Sequence, residues 1–154
     1  MRAWSIVLAF AFSLATAVAL AASPAPAGDV VVVNPSDFHW KPKDALPPGA
    51  TGAVVRGDPS KGDYDFFARF PAGFTVPMHT HTNDCVVIMT QGSMVIGRAD
   101  KPDAVIDEGG LFVLPAELYY TAHCEKECAF LVHGAKPFDI RYARKEDDPR
   151  IKRK

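Results

Sequence analysis

The sequence lacks an excess of charge of either sign, and this absence excludes one large class of partner. Its 17 basic residues nearly balance its 18 acidic ones, so the formal net charge is −1. A nucleic-acid-binding domain needs a basic surface that neutralises phosphates, and this balance offers none. We therefore expect no nucleic-acid partner.

Long apolar runs are also scarce. The one run close to membrane-spanning length lies between Trp4 and Leu20, after Arg2 and next to the small residues of Ala19-Leu20-Ala21. This order predicts a signal peptide over residues 1–21 and a periplasmic or secreted protein. Its removal leaves 16 basic and 18 acidic residues, a charge of −2, and no stable membrane anchor in the mature chain.

Cysteine is rare, and its count is odd. Of the three residues, Cys124 and Cys128 flank a three-residue loop in a predicted hairpin. Facing Cα atoms of paired strands lie about 4.5–5.5 Å apart, which is within disulfide range. In an oxidising compartment we expect a Cys124–Cys128 bond, which leaves Cys85 as a free thiol.

Long helical periods are missing, and short β-rich runs separated by turns take their place. After a flexible leader over residues 22–29, the pattern predicts strands over 30–33, 52–56, 64–70, 74–81, 86–90, 93–98, 105–106, 111–114, 119–124, 128–133 and 138–142. This spacing indicates one all-β barrel or sandwich over residues 30–143, followed by a charged tail over 144–154.

His79 and His81 are the first candidates for chemistry. Side chains alternate between the faces of a strand, so both imidazoles point the same way and could reach one cation. Cys85 is also odd-numbered, and a continuous strand would place it on that face too.

Two motifs give these residues a context. The stretch from Gly73 to Gly92 resembles the first conserved motif of the cupin superfamily, with His79 and His81 at its His-x-His and Cys85 where the family has Glu. The second cupin motif runs Gly, five residues, Pro-x-Gly, two residues, His. The match to it consists of Gly109 and Pro115, with Glu117 replacing its Gly and Tyr120 replacing its His.

Further matches around residues 38–42, 57–60 and 132–142 resemble a branch of small, exported, single-domain cupins. The resemblance implies a double-stranded β-helix, or jelly-roll barrel, that covers roughly residues 30–143. It also implies a divalent metal and a small-molecule ligand inside the barrel. Because cupins serve many activities, the fold alone does not supply the function.

The replacements at two ligand positions, Cys85 for Glu and Tyr120 for His, alter the ligand set that the resemblance implies. We predict His79, His81 and Cys85 as metal ligands, with Asp84, Tyr120 and His123 as alternatives. A thiolate favours Zn or Cu, while Fe, Mn and Ni remain compatible with the histidines. Tyr120 also fits a core aromatic with a satisfied hydroxyl, and His123 faces inward only if a bulge reverses its strand.

Three hypotheses follow from this set. The protein is a metal-dependent enzyme acting on a small molecule, a non-catalytic binder of a metal or small ligand, or a structural barrel with a degenerate site. No catalytic residue is assigned, and a homodimer through exposed sheet surface is compatible with all three.

Overall fold

The computed structural model describes residues 30–152. The predicted signal peptide and leader, residues 1–29, lie outside this range. Within it, no helix is both long and apolar enough to cross a membrane.

Eleven strands form two antiparallel sheets in the described part of the chain. They are β1 Lys41–Pro42, β2 Thr51–Gly57, β3 Tyr64–Phe70, β4 Phe74–Thr80, β5 Cys85–Gln91, β6 Met94–Arg98, β7 Lys101–Ile106, β8 Leu111–Leu114, β9 Tyr120–Cys124, β10 Cys128–Gly134 and β11 Arg141–Tyr142. One sheet has the order β1-β2-β3-β10-β5-β8 and the other β11-β4-β9-β6-β7. The all-β jelly-roll prediction is therefore confirmed.

Alternation of buried and exposed side chains explains why most strands were predictable. In β3, Tyr64, Phe66, Ala68 and Phe70 are buried, and the residues between them are more exposed. This period of two is what a half-buried strand requires, because its side chains alternate between core and solvent. The inward residues of both sheets meet in one apolar core between them.

Three of the predicted strands differ in the structure. Val30–Val33 is an irregular, exposed segment that pairs with no described strand. The predicted loop before Val105 is instead part of β7, which pairs with β6. The last predicted strand shrinks to Arg141–Tyr142, because Phe138 and Ile140 turn toward the core as irregular chain.

The hairpin predicted around residues 125–127 is wrong, although the disulfide predicted from it is confirmed. Strand β9 pairs with β4 and β6, whereas β10 lies in the opposite sheet between β3 and β5. The Cys124–Cys128 bond therefore joins the two sheets, with Cα atoms 6.2 Å apart and both residues fully buried. Cys85 is free, as expected.

Turns and aromatic rings pack closely around this bridge. The rings of Phe70 and Phe74 lie 4.3 Å apart, and those of Phe70 and Phe130 lie 4.9 Å apart. Gly92 adopts φ +71°, and a Cβ added there would lie 2.7 Å from the Glu127 carbonyl oxygen. Only glycine fits such a close backbone approach without a shift, so this end of the barrel is tightly closed.

The predicted tail begins with two short helices. A 3-10 helix covers Lys145–Asp147, and α1 covers Pro149–Lys152. Arg150 donates a hydrogen bond to the carbonyl oxygen of Ile140 at 3.0 Å. The beginning of the tail is thus held against the irregular chain that precedes β11.

Candidate functional site

A β-bulge aims the histidine pair into the barrel. Val76 faces Ala122 on β9, but His79 faces Tyr120, so β4 carries one extra residue between these pairs. The extra residue falls at Pro77-Met78, and proline is tolerated inside a sheet at such a bulge because it lacks an N–H for the ladder. Without the bulge, strict alternation from the buried Val76 would turn His79 and His81 outward.

Both imidazoles are anchored through the same ring nitrogen. His79 Nδ1 donates a hydrogen bond to the Pro77 carbonyl oxygen at 2.7 Å, and His81 Nδ1 donates to the Asp139 carbonyl oxygen. Each ring is therefore the tautomer with a proton on Nδ1 and a lone pair on Nε2. The ring centroids lie 5.3 Å apart with planes nearly perpendicular.

Burial keeps both rings neutral at physiological pH. His79 is 3% exposed and His81 is 6% exposed. Burial, with the adjacent His81 as the second cause, lowers the pKa of His79 to about 4. Burial likewise lowers the pKa of His81, against the opposing hydrogen bond to Asp139. The pair therefore offers neutral nitrogen lone pairs rather than positive charge.

Tyr120 is at once a core aromatic and a site residue. Its hydroxyl lies 2.8 Å from His81 Nε2, and since that nitrogen carries a lone pair, the hydroxyl is the donor. Its ring centroid lies 4.3 Å from that of His79. Burial holds the pKa of Tyr120 well above its usual value, so the phenol stays protonated.

Cys85 reaches the same cavity from the other sheet. It begins β5, and four residues separate it from the end of β4, so facing sheets rather than a continuous strand bring it near the histidines. Its Sγ lies 3.5 Å from the Tyr64 hydroxyl. Burial raises the pKa of the Cys85 thiol.

These four residues line one end of a cavity of about 240 Å³ between the sheets. Apolar side chains form most of its wall, among them Phe66, Phe70, Val76, Met94, Phe130 and Val132. The segment around Lys43 and Leu46 also lines it, and the Tyr142 hydroxyl fixes this segment by donating to the Ala45 carbonyl oxygen at 2.8 Å.

The remaining predicted residues lie outside this cavity. Asp84 is exposed and accepts a hydrogen bond from the Ala116 backbone N–H at 2.6 Å, so it holds the turn after β8. His123 points away from the cavity and hydrogen-bonds the Thr75 hydroxyl at 2.8 Å. The inward reversal of His123 is not observed, because the bulge lies on β4 and leaves β9 in regular alternation.

The donors of the cavity do not form a set of three metal ligands. Within residues 30–152, no group of three or more His, Cys, Asp or Glu side chains is arranged to hold a metal ion. His81 Nε2 is engaged by Tyr120, and burial favours the protonated thiol of Cys85, whereas a metal needs the thiolate. The ligand set of His79, His81 and Cys85 remains a prediction.

Sequence reasoning missed Asp139, which positions the second imidazole. Besides its carbonyl contact with His81, its carboxylate accepts hydrogen bonds from the backbone N–H and hydroxyl of Thr82, the former at 2.7 Å. Asp139 lies 58 residues from His81 in the chain. A local pattern carries no signal for such a distant pairing.

Comparisons with known proteins agree with this architecture. The profile of a family described as "Domain of unknown function (DUF4437)" matches residues 14–141. A search of the curated proteins finds no match.

Solved structures show the same fold. An RmlC-like cupin protein from Ralstonia eutropha is 21% identical, with a TM-score of 0.62 over 78% of this chain and 76% of its own. The polyketide cyclase RemF from Streptomyces resistomycificus is 16% identical, with a TM-score of 0.64 over 79% and 91%. A salicylate 1,2-dioxygenase from Pseudoaminobacter salicylatoxidans is 15% identical, with a TM-score of 0.54 over 63% of this chain but only 30% of the dioxygenase. The chain therefore has the cupin fold.

Proposed function

Since the chain belongs to the DUF4437 family and folds as a cupin barrel, we propose that it binds a small, mainly apolar organic molecule inside the barrel. The observation that carries the proposal is the cavity of about 240 Å³, whose wall is mostly apolar and includes the hydrogen-bonded pair of His81 and Tyr120 beside His79. Apolar pockets with a few convergent polar groups are the usual form of small-molecule sites.

The size of the cavity supports an occupant of about one substituted ring. An apolar cavity of about 150 Å³ in another protein is large enough to bind benzene. Two proteins of the same fold are a polyketide cyclase and a dioxygenase of salicylate, a small aromatic acid. They support a small organic ligand here without identifying it.

Cavity filling tests the proposal. Ala122 lines the cavity, so Ala122→Phe should occupy it, whereas Val105→Phe adds the same ring at an exposed position of β7. A probe such as toluene or indole at 100 times its Kd should raise the stability of the wild type and of V105F by about 2.7 kcal/mol. The same concentration of probe should leave the stability of the A122F variant unchanged.

Equal responses of A122F and V105F would place the probe elsewhere and contradict the proposal. Isothermal titration should give one site per chain in the wild type. The same titration with possible substrates then separates a binder from an enzyme, because only an enzyme releases product.

Metal binding by His79 and His81 is a second proposal, and one observation favours it. Metal-ligating histidines usually anchor their second ring nitrogen on a carbonyl or carboxylate, as both rings do here. Elemental analysis of untagged protein tests it. About one Zn or Cu per chain, lost in His79→Ala but kept in His123→Ala, would support the site, and no metal above background would end the proposal.

Export of the mature chain is a further proposal, supported by the apolar run before residue 21 and by the Cys124–Cys128 bond. Disulfides persist in oxidising compartments outside the cytosol. Mass spectrometry of the fractionated native protein tests it, because export predicts a periplasmic or secreted form that begins near residue 22. A full-length cytosolic form would contradict it.

A further inference from the structure

We propose that the occupant of the cavity is a neutral molecule that donates an O–H or N–H hydrogen bond to His79 Nε2, such as a phenol or an indole. The inference rests on the proposed function, since it names the class of molecule that the same cavity takes. It excludes carboxylates from the histidine end.

His79 Nε2 is the acceptor that calls for such a donor. The other ring nitrogen is committed to Pro77, and Nε2 makes no hydrogen bond with any residue in the described part of the chain. The residue is almost fully buried and lines the cavity. Because Nε2 keeps an unused lone pair at the cavity wall, a ligand that donates to it supplies the hydrogen-bond partner that the protein does not.

The neighbouring polar groups leave no competing donor for this nitrogen. Tyr120 gives its only hydroxyl proton to His81, and His81 gives its Nδ1 proton to Asp139. His81 therefore has both ring nitrogens engaged, and Tyr120 keeps only oxygen lone pairs, so neither has a hydrogen atom left to donate to His79. The Cys85 thiol is only a weak donor.

Charge at this end disfavours an anion. Both Nδ1 protons are committed to carbonyl oxygens and most of the cavity wall is apolar, so a carboxylate would lose its hydration there without gaining a hydrogen-bond donor from the rings. Among the residues that line the cavity, the basic side chain is Lys43, which is only half-buried and lies over the ring of Phe66, 5.2 Å from its centroid.

A matched ligand series tests the inference. Toluene, phenol and benzoate share one ring and differ in a methyl, a hydroxyl donor and an anionic acceptor. The protein is treated with EDTA, and binding is measured by isothermal titration. We expect phenol to bind about tenfold more tightly than toluene, because phenol forms one additional hydrogen bond with His79 Nε2. Benzoate should bind more weakly than both.

Variants assign the preference to His79. His79→Leu keeps an apolar side chain of similar size, and it should bind phenol and toluene equally. His123→Leu changes a histidine outside the cavity on β9, and it should keep the tenfold preference. If His79→Leu does not fold, ¹⁵N-histidine NMR of the wild type gives the same information, because phenol but not toluene should shift the His79 Nε2 resonance.

The outcomes separate this inference from the function on which it rests. Equal affinity for phenol and toluene, or tightest binding of benzoate, would overturn the donor assignment and leave an apolar binding site intact. Failure of all three ligands to bind the wild type would overturn the binding function itself.

Discussion

The hydrogen bond between Tyr120 and His81 gives the sharpest test of how the site is built. Tyr120→Phe removes one buried hydroxyl and leaves His81 Nε2 without its 2.8 Å partner. The ring stays, so packing against His79 is kept. Loss of a buried neutral hydrogen bond with one partner left unsatisfied costs about 1 to 2 kcal/mol, which corresponds to a fall in Tm of roughly 4 to 8 °C for a domain of this size.

Urea unfolding monitored by tryptophan fluorescence measures this cost. Tyr142→Phe is the matched control, because it removes a hydroxyl that donates at the same 2.8 Å distance to Ala45 from a half-buried position. We expect the free energy of unfolding to fall less in Tyr142→Phe than in Tyr120→Phe, with equal m-values for the two variants. Wild-type stability in Tyr120→Phe would refute the assigned bond and the His81 tautomer inferred from it.

Three further predictions address other parts of the barrel. Reduction of the Cys124–Cys128 bond should lower the free energy of unfolding by about 2 kcal/mol, the chain-entropy value for its five-residue loop, and urea titrations with and without dithiothreitol measure it. Glu117 adopts φ 62°, so Glu117→Val should cost about 1 to 2 kcal/mol more than Glu117→Gly in the same assay, and equal costs would contradict the strain. Burial alone would raise the pKa of Asp65, but hydrogen bonds from Arg56 and His133 outweigh it and lower the pKa. The stability from this carboxylate is therefore present at neutral pH and lost below about pH 4, so wild type should lose more stability between pH 7 and pH 3 than Asp65→Asn.

The strands were predictable where one face is buried and the period is two. The alternation of β3 follows this rule, whereas the strands that end at Gln91 and Leu114 are continuous apolar runs marked off by the turn residues around them. Periodicity indicates that one face of a strand is buried, but it does not indicate to which sheet the strand belongs. This is why the segments that flank residues 125–127 look like a hairpin although they belong to opposite sheets.

Val30–Val33 illustrates the opposite error. Four valines in a row have high β-propensity, yet β-propensity largely reflects packing against neighbouring strands. No described strand lies beside these residues, so they stay irregular. The lack of a neighbouring strand among the described residues therefore outweighed the high β-propensity of the four valines.

The site was predictable in part. The cupin motifs identified His79, His81, Cys85 and Tyr120, and all four line the cavity. The bulge at Pro77 and the Asp139 carbonyl were not predictable, because both depend on how distant strands meet. The substitution of Glu117 at the glycine position of the second motif keeps the left-handed backbone that glycine would adopt.

The inter-sheet disulfide makes the two ends of the barrel unequal. At one end, a covalent bond, three packed phenyl rings and a tight glycine turn hold the two sheets together. At the other, the strip from Lys43 to Leu46 is held by noncovalent contacts, among them hydrogen bonds from the Lys43 N–H to the Ala50 carbonyl oxygen at 3.1 Å and from the Tyr142 hydroxyl to the Ala45 carbonyl oxygen at 2.8 Å. Noncovalent contacts open more readily than a disulfide, so we expect a ligand to enter and leave on the side where Tyr142 pairs with His79, and the exchange rate should rise when the Tyr142 hydroxyl is removed.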